Sequence, residues 1–239
     1  MKLRRLKDII IYEDDNLIAV NKPAGVYSLQ SRFGTNRCIQ DLAEAHDPNL
    51  QLCHRLDKDT SGVLLLAKNP DTYRSVAMMF EKREIKKTYW AIAHGRHYFE
   101  NRVIDIPLST TSRGRAKIDR HGGKPAETLV TAIENFKKYT LIECHPSSGR
   151  LHQIRIHLSS QNAPIVADTM YDGELPYLRD SKANFSVGRD KEERPMISRT
   201  CLHAYRVSFE LNGSTIDIEA DLPKDFSVCL KLLRKYDSI

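Results

Sequence analysis

Tight turns set between short alternating apolar runs constrain this chain more than any other feature. The clearest is Asn212-Gly213, with Thr200–Leu211 before it and Ser214–Ala220 after it. Asn-Gly between alternating runs is a strong β-hairpin signal, because both turn residues tolerate the left-handed backbone that such turns require. Ile9–Tyr12 and Leu17–Val20 flank the acidic turn Glu13-Asp14-Asp15-Asn16 and read as another hairpin, closed by Asn21-Lys22-Pro23-Ala24-Gly25. Glu127–Ile133 and Thr140–Cys144 read as a third, across Asn135–Lys138. Val63–Ala67 is an unbroken apolar run bounded by polar residues, the pattern of a buried strand, and Thr88–Ala93 alternates up to Gly95.

Helices are fewer. Asn69 as N-cap, Pro70 at the first position and Tyr73, Val76, Ala77 and Phe80 at helical spacing predict a good helix. Residues 36–47 and Phe226–Tyr236 fit shorter ones. Leu151–Leu158 fits either period; Asn162-Ala163-Pro164 beyond it favours a helix stop. Residues 171–199 read as a long polar loop. Strands that outnumber helices and arrive in hairpins predict an α+β fold on a mostly antiparallel, mixed sheet in two halves, with helices and loops around a central cleft. No repeat or linker is visible, so residues 1–239 are expected to form a single domain.

The 239 residues can bury a real core. With 41% hydrophobic and 28% charged residues, the composition excludes disorder, collagen and coiled coil. Val63–Ala67, the longest apolar run, is far shorter than the roughly 18 residues of a membrane span, and Met1–Ile11 lacks a signal-type apolar region. The whole chain therefore reads as mature soluble protein. Five cysteines, an odd number with no two close in sequence, predict reduced thiols in a cytoplasm. The net charge of +6 is concentrated in part between Thr111 and Lys124, where Arg113, Arg115, Lys117, Arg120 and Lys124 face one acid, Asp119. A flexible basic loop of this kind suits a phosphate backbone.

Two polar segments could carry chemistry. His54-Arg55-Leu56-Asp57-Lys58-Asp59-Thr60-Ser61-Gly62 lies between apolar runs; residue types alone favour a turn capped by Asp59, Thr60 and Ser61. His145–His157 reads His-Pro-Ser-Ser-Gly-Arg-Leu-His-Gln-Ile-Arg-Ile-His. His152 and His157 share no face of a helix or strand, and no HExxH occurs, so a zinc site is set aside. Arg150 and Arg155 could bind phosphate or a carboxylate. There is no nucleophile elbow, P-loop or dinucleotide fingerprint.

In order along the chain, Tyr12–Asp15 with Asn21–Gly25, His54-Arg55-Leu56-Asp57 with Thr60-Ser61-Gly62, Lys87-Thr88-Tyr89-Trp90-Ala91 with Gly95, Gly149-Arg150-Leu151-His152-Gln153-Ile154-Arg155 and Leu202-His203-Ala204 resemble the motifs of RluA-type pseudouridine synthases. Leu151, Asn162 and Ala167 depart from the family's usual polar residue and glycines. The resemblance implies a pseudouridine synthase-like fold, one catalytic domain without the S4 RNA-binding domain that many relatives carry, and isomerisation of uridine to pseudouridine in structured RNA. It implies Asp57 as nucleophile, attacking C1′ of the ribose or C6 of the base, Arg155 as its cationic partner and Tyr89 as the residue that stacks on the base. Arg55 would enter the space left by the flipped base, with His54, Arg150, Arg113, Arg115 and Lys117 beside the RNA and Ile154 packing under the ring, or in the core. No cofactor and no metal are implied. The partner would be an rRNA or tRNA stem-loop acted on by a monomer, with no membrane involved. A non-catalytic RNA-binding protein and a nucleoside N-glycosidase are the competing readings: the first does not need a buried carboxylate facing a polyanion, and the second has little use for a long basic loop.

Overall fold

The computed structural model describes residues 5–30, 37–182, 185 and 192–239. The long polar loop expected over 171–199 and the start of the helix expected over 36–47 lie partly outside the described residues. In chain order the strands and α-helices are β1 (Ile10–Glu13), β2 (Leu17–Lys22), α1 (Ile39–Glu44), β3 (Gln51–Leu52), β4 (Ser61–Ala67), α2 (Pro70–Lys82), β5 (Lys86–His94), β6 (Arg102–Asp105), β7 (Leu108–Thr110), β8 (Ala116–Ile118), β9 (Glu127–Asn135), β10 (Tyr139–Pro146), α3 (Gln153–Ser159), β11 (Leu202–Leu211), β12 (Ser214–Glu219) and α4 (Lys224–Tyr236). The α+β reading is borne out, as are the three hairpins and the helical reading of the 151–158 segment. The chain divides into two compact units, residues 1–88 with 203–221 and residues 89–202 with 222–239.

In the first unit β4 is the central strand. It pairs antiparallel with β2 and β3 and parallel with β11, and β12 pairs with β11. Every residue of β4 is buried, which is why Val63–Ala67 is an unbroken apolar run and not an alternating one. Val63, Leu65 and Ala67 join Leu17, Ala19, Val76, Val207 and Phe209 in one core. Helix α2 begins as its sequence dictates: Asn69 Oδ1 accepts from the Thr72 N–H at 2.9 Å, and Pro70 needs no partner in the first turn.

The parallel pairing of β4 with β11 explains two sequence features at once. Ser61 lies opposite His203 and Gly62 opposite Ala204. His203 Nε2 lies 3.0 Å from the Ala220 carbonyl, so it carries the proton, and Ser61 Oγ donates to Nδ1 at 2.9 Å. Gly62 has φ +117°, and a Cβ there would sit 2.1 Å from the Ala204 carbonyl oxygen. A methyl group therefore meets backbone that cannot move without breaking the strand pair. Gly62→Ala is expected to lower unfolding stability by about 3 kcal/mol or more. Urea titration followed by circular dichroism measures it, and a loss under 1 kcal/mol contradicts the clash.

In the second unit the strand order is β5, β10, β9, β6, with β7 and β8 forming a separate two-stranded sheet. Its core gathers Ile92, Val130, Leu141, Ile142, Leu158, Ile165 and, from α4, Phe226, Leu230 and Leu233. The 111–124 segment was expected to be a flexible loop. Residues 111–118 of it form the turn and second strand of a β-hairpin, in which Leu108, Ser109 and Thr110 pair with Ile118, Lys117 and Ala116. Its low apolar content hid it, because a single inward side chain, Ala116, suffices to seat the short second strand. All five cysteines are buried free thiols.

Candidate active site

The segment carrying His54 to Thr60 connects β3 to β4, and the chain on either side of Asp57 is clamped. Ser28 Oγ donates to the Leu56 carbonyl at 2.8 Å and accepts from the Leu56 N–H at 3.0 Å. One residue past Asp57, the Lys58 carbonyl accepts from the Gly25 N–H at 2.8 Å and from Lys22 Nζ at 3.1 Å. The Lys22 side chain is fully buried; its ammonium also donates to the carbonyls of Pro23 at 3.0 Å and Val26 at 2.8 Å. Three carbonyls replace the lost water for a buried cation. The Asp57 carbonyl itself accepts from the Thr60 N–H at 3.2 Å. The turn 22–28 thus holds the backbone on both sides of Asp57, whose side chain is half-buried. A carboxylate on such a support keeps its position during a reaction, which is what a nucleophile requires.

His54 and Arg55 have opposite surroundings. Arg55 is exposed. The His54 ring lies 4.6 Å from the Phe80 ring, and its Nε2 accepts from the Leu65 N–H at 3.0 Å. Burial pushes its pKa down to about 3, with a smaller contribution from the Lys87 ammonium. His54 is therefore a neutral ring that ties the segment to β4. Lys87 is buried as well, and desolvation followed by repulsion from Arg83 lowers its pKa to about 8.

In the second unit, Tyr89 stands on β5 opposite Cys144 of β10 and packs against the core. The turn into α3 is organised by Gln153. Its Oε1 accepts from Ser148 Oγ at 2.6 Å and from the Arg150 N–H at 3.1 Å, and its Nε2 donates to the Glu127 carbonyl at 2.8 Å. Ile154 belongs to the core. Arg150 lies half-buried along the chain at Pro125, with Nε 3.4 Å from that carbonyl. His152 and His157 have separate partners: His152 Nδ1 lies 2.9 Å from Tyr171 Oη, while His157 lies 2.9 Å from Thr128 Oγ1 and 3.0 Å from the Ile106 carbonyl.

Arg155 is buried, and the carboxylate that this unit places on it is Asp168. Nε donates to Oδ2 at 2.6 Å and Nη2 to Oδ1 at 2.7 Å. The sequence reading missed Asp168. Its one signal is an acid that directly ends the largely apolar run Ala163–Ala167. Asn162 and Ala167, where the family usually has glycine, both take the left-handed backbone at φ 57° and 60°. Asparagine is common there and alanine is not.

The β7–β8 hairpin presents Arg113, Arg115 and Lys117 to solvent. Its base is fixed by an apolar cluster of Leu108, Ala116, Ala126, Ile156 and Tyr171. Asp119, the single acid, is mainly structural: it accepts from the Gly122 N–H at 2.9 Å, and such bonds hold its carboxyl below the usual range. Neutralising Arg113, Arg115 and Lys117 together is expected to weaken RNA binding and reduce the slope of log Kd against log salt by about 2 to 3. Filter binding from 50 to 300 mM salt, on the order of the range used for such slopes, measures it. An unchanged slope would show that these side chains do not meet RNA.

The family model for RNA pseudouridylate synthases matches residues 16–160, more than half of the chain. The chain belongs to the RNA pseudouridylate synthase family. Among curated relatives of this synthase domain, the ribosomal large subunit pseudouridine synthase D of Neisseria meningitidis is 34% identical over 94% of the chain, which spans 61% of that relative's length. The ribosomal large subunit pseudouridine synthase C of Vibrio parahaemolyticus is 31% identical over 98% of the chain and 72% of its own length. Among solved structures, Human RNA Pseudouridylate Synthase Domain Containing 4 superimposes with a TM-score of 0.72 at 28% identity, covering 96% of this chain and 94% of that one. The family match contains Asp57, Tyr89 and Arg155 and ends before Asp168.

Proposed function

We propose that this chain converts uridine to pseudouridine in structured RNA, with ribosomal RNA as the favoured substrate class. The observation that carries this reading is Asp57 on a backbone clamped at Leu56 and Lys58, within the family's nucleophile motif. The names of the large-subunit relatives favour rRNA over tRNA.

The reaction breaks the N1–C1′ bond of a uridine and rejoins the uracil through C5. The C5 proton is lost and N1 gains one, so the RNA keeps its mass. A carboxylate suits the attack, at C1′ or at C6, as in glycoside cleavage. In this reading Asp57 is the nucleophile and Arg155 its cationic partner. Tyr89 stacks on the base and assists loss of the C5 proton. The target base must first leave its stack, and Arg55, exposed and two residues before Asp57, fills the space. The basic hairpin and Arg150 hold the backbone without reading sequence. The chain acts as a monomer in the cytoplasm; among the described residues no helix is long and apolar enough to cross a membrane. Because the isomerisation neither oxidises nor adds a group, Asp57, Arg155 and Tyr89 suffice for it without a cofactor.

Incubation with large-subunit rRNA and tRNA transcripts tests this. Pseudouridine at unchanged RNA mass is expected from the rRNA. Free uracil would indicate an N-glycosidase, and binding without product a non-catalytic RNA-binding protein.

A further inference from the structure

We propose that Asp168 is a positioning residue for this reaction, setting the plane of the Arg155 guanidinium; the proposal rests on the reading of Arg155 as a catalytic group. Asp168 is 1% exposed and Arg155 8%. Two bonds of 2.6 and 2.7 Å join one edge of the guanidinium, Nε and Nη2, to both carboxylate oxygens. A single bond leaves the guanidinium free to rotate about it, whereas two parallel bonds fix its plane. A buried ion pair is a poor device for stability alone, since well-packed apolar side chains often serve as well. Fixing a charged group in one orientation is something apolar packing cannot do.

The carboxylate is itself held on rigid backbone. The Asp168 backbone carbonyl accepts from the Tyr171 N–H at 3.0 Å and the Gly173 N–H at 2.9 Å, and the Asp168 N–H donates to the Ile165 carbonyl at 3.1 Å. A Cβ at Gly173 would sit 1.9 Å from the Ile165 oxygen, so this turn closes only around glycine. Ala167, immediately before Asp168, is kept at φ 60°, a conformation that persists for a residue with a Cβ only where its surroundings over-determine it. The face of the guanidinium is covered too. The Tyr171 ring centroid lies 5.0 Å from Arg155 Cζ, and Tyr171 Oη accepts from the Ala116 N–H at 3.0 Å. Arg155 is thus gripped at its edge by Asp168 and on its face by Tyr171, and Tyr171 is bonded in turn to the basic hairpin.

The test is single-turnover pseudouridine formation by the full chain on an rRNA transcript, with RNA affinity measured beside it. Asp168→Asn keeps the shape but loses the charge and one acceptor. It is expected to slow the chemical step about 10²-fold, the scale of a misplaced reacting group, with RNA Kd within about twofold of wild type. Asp168→Glu keeps the charge and lengthens the reach, and is expected to lose about tenfold. Combined with Arg155→Lys, which cannot make the planar pair, either substitution is expected to add little further loss, because both act through one group. Losses that multiply would overturn the proposal, as would a defect confined to RNA affinity. If Asp168→Asn does not fold, judged by circular dichroism, the same cycle built on Asp168→Glu decides. Arg155→Lys at the wild-type rate would remove the catalytic reading of Arg155, and the proposal with it. Multiplying losses beside a slow Arg155→Lys would remove the proposal alone.

Discussion

Asp57→Asn is expected to bind RNA like the wild type and to form no pseudouridine. The amide has nearly the shape of the carboxylate but not its nucleophilic oxygen. The expected loss is at least about 10⁴-fold in single-turnover rate, the scale seen when a nucleophile or its direct partner is deleted. The fold should survive, because the bonds that hold the segment run through Ser28, Gly25 and Lys22 to the backbone of Leu56 and Lys58. Quantifying pseudouridine after nuclease digestion, with Kd measured in parallel, reads both halves. Turnover within tenfold of wild type would remove Asp57 from the chemistry.

Arg55→Ala is the second large effect, and its size is expected to depend on the RNA. Arg55 is exposed while the neighbouring Leu56 is buried, so removing its side chain should leave the clamped segment intact. Its long planar end can stack where a base has left. Unstacking a paired uridine costs a few kcal/mol, and each 1.36 kcal/mol is tenfold in rate, so a folded stem-loop should be isomerised about 10²-fold more slowly. The defect should shrink to about threefold on an RNA whose target uridine is already unpaired, where that cost is largely absent. Single-turnover rates at saturating enzyme on the two RNAs make the comparison. Equal fractional losses would assign Arg55 to the bond chemistry or the fold instead of to flipping.

The division between what was legible in the chain and what was not follows the range of the forces involved. Asn212-Gly213 and Asn69-Pro70 state their structures within a few residues, because turn conformation and helix capping are local. The unbroken apolar run at Val63–Ala67 was enough to announce a strand buried on both faces. The ordered motifs around Asp57, Tyr89 and Arg155 were enough to identify the family. The short strands β6, β7 and β8 were not readable, since half-exposed three- and four-residue strands carry too little apolar period. Nor were the partners. Ser28 reaches Leu56 across 28 positions and Lys22 reaches Lys58 across 36, and nothing local marks either side chain for that task. Nothing local marks the His54 ring for its place against Phe80 or its bond from the Leu65 N–H. The motifs mark Arg155 as the cationic partner of Asp57 and say nothing of Asp168, which only the return of the chain after Ala167 puts on it. Local chemistry determined the elements and the reacting groups. Which polar group meets which is decided by the way the chain closes on itself, because a buried charge takes whatever partner the packing brings within about 3 Å.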